Sequence, residues 1–92
     1  MIRSVRHQGL ELFFRRGTKA WIQPNHAAEL RLQLTALDAA TKPDDLVAPG
    51  WRLHLLAGDS NGFYSIPVNG NWRIIFRFIE RDVELVDYLD YH

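Results

Sequence analysis

The sequence predicts an α+β fold, with a helical first half and a sheet-forming second half. Three observations carry this. Apolar residues recur at three- and four-residue intervals through Ala40, they alternate with polar ones from Trp51 onward, and a stretch rich in Pro, Gly and Asp separates the two regimes. With 92 residues and 47% hydrophobic content, the chain suits a single domain, residues 1–92, because two halves would each bury too little surface. Three Trp, three Tyr and five Phe can fill such a core from few positions, and no Cys is present. The lack of Cys excludes Cys-ligated zinc, iron–sulfur clusters and thiol nucleophiles, and it suits a reducing cytoplasm.

Taken in order, Ile2 to Arg6 reads as a short strand and Gln8 to Arg16 as a helix. Leu10, Phe13 and Phe14 share one helical face, Arg15 and Arg16 sit where the helix dipole favours cations, and Gly17 is a natural stop. A second helix starts near Pro24 or Asn25 and runs to about Ala40. Pro is tolerated in a first turn, and Asn can accept from free backbone N–H groups. Ala27, Leu30, Leu34 and Leu37 form the apolar stripe that lies on a sheet. Thr41 to Gly50, with two Pro, a Gly and Asp44-Asp45, reads as the connecting loop. Strands follow at Arg52 to Leu55, Phe63 to Val68, Trp72 to Ile79 and Val83 to about Tyr91. In the third of these, Trp72, Ile74, Phe76 and Phe78 share a core face, and Arg73, Ile75, Arg77 and Ile79 share the other.

Two turns set the register. A two-residue Asn-Gly turn would put Tyr64, Ile66 and Val68 on the face of Arg73 and Arg77, whereas a three-residue loop, Asn69-Gly70-Asn71, joins them to Trp72, Ile74 and Phe76. The three-residue loop is the consistent choice, with Asn71 taking any left-handed conformation required. At the next turn, a two-residue Arg81-Asp82 loop pairs Glu80 with Val83, sets Arg73 opposite Asp90 and Asn71 opposite His92, and gathers polar groups at one end of the non-core face.

Eleven basic and eleven acidic residues cancel, which speaks against a free nucleic-acid binder. Their distribution is uneven. Arg3, Arg6, Arg15, Arg16, Lys19 and Arg31 face only Glu11 and Glu29 early in the chain, while Glu80, Asp82, Glu84, Asp87 and Asp90 crowd its end, so a basic side is expected. No apolar run approaches the roughly 20 residues of a membrane span, and Met1 to Arg6 lacks a signal-peptide core, so a cytoplasmic protein without membrane contact is expected.

No phosphate-cradling glycine loop, metalloprotease helix or zinc spacing occurs, and His7, His26, His54 and His92 are dispersed, which disfavours metal catalysis. His54, Arg73 and the closing Asp90-Tyr91-His92 could serve RNA cleavage by a neighbouring 2′-hydroxyl, which needs a base, an acid and cations around the phosphate. Each also has a structural reading: His54 as an outward strand residue, Arg73 and Arg77 as partners of Glu84 or Asp90, and Trp72 and Tyr88 as core residues. Residue chemistry alone supports a small α+β domain with an anion-binding face.

The stretches Leu53-His54-Leu55-Leu56-Ala57-Gly58-Asp59, Gly62 to Phe76 and Asp87-Tyr88-Leu89-Asp90-Tyr91-His92 resemble the HigB toxins, the plasmid-maintenance killer family. Ile2-Arg3-Ser4, Leu10 to Phe14 with Gly17, and Leu37 to Thr41 extend the likeness nearly end to end. The ordered set Tyr-Ser-Ile, Asn-Trp-Arg and a closing Asp-Tyr-His is its most specific part. The resemblance implies the RelE/ParE-like fold, two helices packed on one face of a small, mainly antiparallel sheet. It implies the toxin of a type II toxin–antitoxin system, a metal-independent, cofactor-free endoribonuclease that cleaves messenger RNA in the ribosomal A site. On it, His54 and His92 are candidates for proton transfer, Arg73 for holding phosphate, Asp90 for orienting or accepting a proton and Tyr91 for positioning substrate, with Asn71 and Arg77 as further substrate contacts.

The implied partners are a HigA-type helix-turn-helix antitoxin, the small ribosomal subunit with its message, and operator DNA reached through the antitoxin. Some members carry Lys where this chain has Ala57, and Arg or Thr where it has Pro67. Pro67 cannot donate to a ladder, so its strand should be an edge or irregular there. The rival readings are a gyrase-directed inhibitor of the ParE type and a toxin acting mainly as co-repressor with its antitoxin.

Overall fold

The computed structural model describes residues 1–58 and 62–91. Helices α1 (Gln8–Arg16) and α2 (Ala27–Ala39) precede strands β1 (His54–Leu55), β2 (Tyr64–Asn69), β3 (Trp72–Ile79) and β4 (Asp82–Asp90). The strands form one antiparallel sheet in the order β1-β2-β3-β4. The α+β expectation holds, with both helices on one face of the sheet. Leu10 and Phe13 of α1 and Ala27, Leu30, Leu34 and Leu37 of α2 are buried in one cluster with Ile66, Ile74, Phe76, Val83, Val86 and Tyr88 of the strands.

Local chemistry explains the helix limits. His7 Nδ1 accepts from the Leu10 N–H at 3.0 Å, and Gly17, at φ 74°, donates its N–H to the Phe13 carbonyl at 2.9 Å. Before α2 the chain makes a 3₁₀ turn, Pro24–His26, and no side chain caps either helical start, so Asn25 does not take the capping role expected of it. The loop after α2 contains a second 3₁₀ turn, Pro43–Leu46, closed by the Asp45 carboxylate, which accepts from the Thr41 N–H at 2.9 Å and hydroxyl at 3.2 Å. These bonds hold the Asp45 carboxyl below its ordinary range.

The expected strand at Ile2 to Arg6 is replaced by two separate parallel bridges, Ile2 to Val83 and Val5 to Val86. A bulge in β4 is the cause. Leu85 stands at φ 55°, and the β3–β4 register shifts between the Arg77–Glu84 and Ile75–Asp87 pairs. Ser4 Oγ accepts the Leu85 N–H at 2.9 Å, so the N-terminal segment follows the irregularity. It also brings Arg3 and the N-terminal amine to the Asp82 carboxylate, at 2.6 and 3.3 Å. The Arg3 hydrogen bond, more than anything else, draws the Asp82 carboxyl below its usual range.

The β2–β3 register is the one chosen on parity: Tyr64 faces Phe76 and Ile66 faces Ile74. The connection is built differently. Asn69 pairs with Trp72 around a two-residue turn whose left-handed residue is Gly70, at φ 57°, and the extra residue is taken up as an irregularity between Pro67 and Asn69. Asn71 is not left-handed. The β3–β4 expectation is corrected further. The turn is Glu80-Arg81, closing on Ile79 and Asp82, so Arg73 lies opposite Leu89, and Asp90 lies opposite Trp72. Moving the turn one residue earlier shifts each partner by two and keeps the face, whereas the Leu85 bulge shifts it by one and exchanges the face.

Candidate active site

Alternation along the strands turns a second set of side chains away from the helices. His54, Ser65, Ile75 and Asp87 are cross-strand neighbours in one row, and Pro67, Arg73 and Leu89 in the next. Because β1 pairs only with Tyr64 and Ser65, the outer side of β2 is uncovered beyond that point, where Pro67 needs no ladder partner for its nitrogen. The Pro67 carbonyl accepts instead from Gln33 Nε2 at 3.0 Å. The expected edge-like, irregular strand at Pro67 is therefore observed.

Over these rows lies a cleft of about 390 Å³ lined by Arg52, His54, Leu56, Ser65, Arg73 and Tyr91. It unites three of the residues singled out from sequence, His54, Arg73 and Tyr91. His54 and Arg73 sit on strands separated by β2, about 10 Å apart at the backbone, so their side chains enter from opposite sides. Tyr91 follows β4 and is held by its N–H, which donates to the Asn71 carbonyl at 2.8 Å. Asn71 thereby ties the β2–β3 turn to the chain end. The remaining expectations fall elsewhere. Arg77 is outside the lining; its Nε is 2.6 Å from Glu84 and its guanidinium lies 5.7 Å from the Phe63 ring centroid. Asp90 shares the Trp72 side of the sheet and acts on the Tyr88 phenol. His92 lies outside the described residues.

Two features of the lining were not anticipated. Arg52 has a left-handed backbone, φ 47°, uncommon for a residue with a Cβ. Ser65 is 1% exposed, and its hydroxyl has no hydrogen-bond partner among the described residues. The parity that joined Ile66 to Ile74 also puts Ser65 on Arg73's face, so its placement was readable. The lining holds no carboxylate among the described residues, and no ion pair there involves Arg52 or Arg73. Among the described residues no three His, Asp or Glu side chains come together as a metal site.

Behind the cleft, the strand ends are fixed by a buried polar pair. His26 Nδ1 lies 2.6 Å from the Tyr88 hydroxyl, Tyr88 stacks on Trp72 at 4.5 Å, and His26 meets Trp72 edge-on at 5.6 Å. Burial holds the His26 pKa below its ordinary value and pushes the Tyr88 phenol up.

The family model for the RelE-like toxin of the type II toxin–antitoxin system HigB matches residues 3–92. The chain belongs to the HigB-like toxins. It is 39% identical over 92 residues, the whole of both chains, to the Endoribonuclease HigB of Proteus vulgaris. It is also 43% identical over 61 residues to Toxin HigB-1 of Vibrio cholerae serotype O1, covering 65% of this chain and 63% of that protein. Membership in this family implies an antitoxin partner, and every residue lining the cleft falls within the matched span. No helix is long and apolar enough to cross a membrane, among the described residues.

Proposed function

We propose that this HigB-like toxin is a ribosome-dependent endoribonuclease that acts in the cytoplasm and cleaves messenger RNA in the decoding A site of the ribosome. The observation that carries the reading is the convergence of His54, Arg73 and Tyr91, far apart in sequence, on one cleft whose lining holds no carboxylate among the described residues. Such a cleft suits a phosphodiester. The Arg73 guanidinium offers charge-assisted, bidentate hydrogen bonds to phosphate oxygens, and stabilises the charge that builds there in the transition state. His54 can take the proton of the 2′-hydroxyl as it attacks phosphorus, or give one to the departing 5′ oxygen. The products are a 2′,3′-cyclic phosphate, or the 3′-phosphate after its hydrolysis, and a 5′-hydroxyl. Tyr91 positions the nucleotide and His92, which follows it in the chain, completes the acid–base set that the family resemblance supplies, while Asp90, on the Trp72 side of the sheet, takes the orienting role rather than a place in the cleft. Asn71 contributes by holding the Tyr91 backbone.

A ribosome-presented substrate also accounts for a toxin of zero net charge, since the ribosome supplies the positioning that a free nuclease must obtain from its own field. In this reading a helix-turn-helix antitoxin silences the toxin and carries it to operator DNA. Primer extension on messenger RNA after brief induction tests the proposal. New 5′ ends should appear within coding sequence in wild type and vanish in Arg73→Ala. Growth arrest without new ends would overturn it in favour of a gyrase-directed inhibitor.

A further inference from the structure

Arg52 lines the same cleft as Arg73 but is the more exposed of the two: Arg52 is exposed, whereas Arg73 is half-buried over the sheet beside Ser65. Arg52 stands two residues before His54, and its backbone is left-handed, at φ 47°. That conformation costs a residue with a Cβ about 1–2 kcal/mol, and strain of this sort collects at ligand sites. No carboxylate among the described residues pairs with it. A second feature of the cleft points to a polar ligand independently. Ser65 Oγ, in the lining of the same cleft, is buried and has no hydrogen-bond partner among the described residues, a cost to the fold that a bound polar group can relieve.

We infer that Arg52 is a second phosphate-binding residue, which grips the phosphate flanking the one that Arg73 holds and so fixes the path of a single strand across the rim. This inference rests on the nuclease reading of the cleft. Its position separates the two roles. A contact to a flanking phosphate is made equally in ground and transition states, so it tightens binding and leaves the limiting rate alone, whereas the inner contact at Arg73 acts on the reacting group.

The test uses purified toxin and ribosomes programmed with a message whose A-site codon is 2′-O-methylated, which removes the nucleophile and leaves binding measurable by fluorescence. Arg52→Gly deletes the side chain at a backbone conformation glycine adopts freely, so the fold has no reason to suffer. It should weaken binding about tenfold, the effect of losing one charge-assisted hydrogen bond. The log–log salt dependence should flatten by about 0.7, the value of one phosphate contact on a single strand. Arg52→Lys, which keeps the charge, should recover most of both. On unmethylated message the limiting cleavage rate of Arg52→Gly should stay within about twofold of wild type. Unchanged affinity and salt slope in Arg52→Gly would overturn the inference, as would a loss confined to the limiting rate. Failure of wild type to cleave unmethylated message would instead overturn the nuclease reading, and the binding comparison would still decide the role of Arg52.

Discussion

The His26–Tyr88 pair should make the toxin's stability depend on pH in a defined direction. His26 is 3% exposed and its Nδ1 lies 2.6 Å from the Tyr88 hydroxyl; burial disfavours the charged imidazolium, so the folded state holds the His26 pKa below the ordinary 6.5. The unfolded chain therefore binds more protons as the pH falls below about 6.5, and stability declines with it. The contribution is fully present above that pH and is lost toward the depressed folded value, with a slope of at most about 1.4 kcal/mol per pH unit. His26→Asn keeps an acceptor near the phenol and removes the titration. The stability gap between wild type and this variant, from urea unfolding followed by far-ultraviolet circular dichroism, should narrow as the pH falls from 7.5 to 5.5. A gap independent of pH would refute the neutral buried imidazole. Tyr88→Phe, which leaves the buried Nδ1 without its hydrogen-bond partner, should cost about 1–3 kcal/mol at pH 7.5, or about 5–20 °C in Tm for a chain this short.

Three further outcomes follow from the same geometry. Ser65→Ala removes a buried hydroxyl that has no partner among the described residues, so it should raise stability by about 1 kcal/mol in the same urea assay, and a loss would mean that the hydroxyl has a partner in solution. Arg73→Ala should lower the limiting rate of message cleavage on ribosomes about 10²- to 10³-fold with little change in Tm, since no ion pair among the described residues depends on it. A C-terminal tag should blunt growth inhibition in vivo more than an N-terminal one. Tyr91 enters the cleft at that end, whereas the N-terminal amine makes only an exposed ion pair with Asp82. Equal toxicity of the two tagged forms would count against the cleft.

Much of this architecture was readable because periodicity and parity are local constraints on a buried face. The stripe Ala27, Leu30, Leu34 and Leu37 could be satisfied only by a helix lying on a sheet, and all four are buried. Parity alone placed Tyr64 and Ile66 against Phe76 and Ile74, although the turn that achieves it is shorter than expected and is offset by the irregularity after Pro67. The same parity puts Ser65 on the face that carries Arg73, whereas the place of His54 opposite Ser65 comes from the β1–β2 pairing, for which the sequence offered no register. Left-handed conformations at residues with a Cβ were not readable, because no sequence preference marks Arg52, Glu80 or Leu85 for them. The buried His26 was missed for a related reason, since a lone imidazole becomes informative only when the fold brings a phenol to it.

The Leu85 bulge decides what the terminal residues can do. In a regular strand, residues three apart face opposite sides, yet Val83 and Val86 are both 0% exposed in the same core. Only an extra residue between them allows this, and Leu85 at φ 55° supplies it. The adjoining segment has the same three-residue spacing, Ile2 and Val5, and meets Val83 and Val86 on either side of the bulge. Matched odd spacings in two segments are thus a sequence signature of a bulge that strict alternation overlooks. The consequence reaches the cleft: beyond the bulge, Tyr88 and Asp90 turn toward the helices, leaving Leu89 on Arg73's face, with Tyr91 lining the cleft. Read as a string, Asp90-Tyr91-His92 is one polar cluster, but alternation puts Asp90 and Tyr91 on opposite faces and the bulge decides that Tyr91 is the one on the cleft side, so the strand's parity, rather than proximity in sequence, is the basis on which their roles have to be argued.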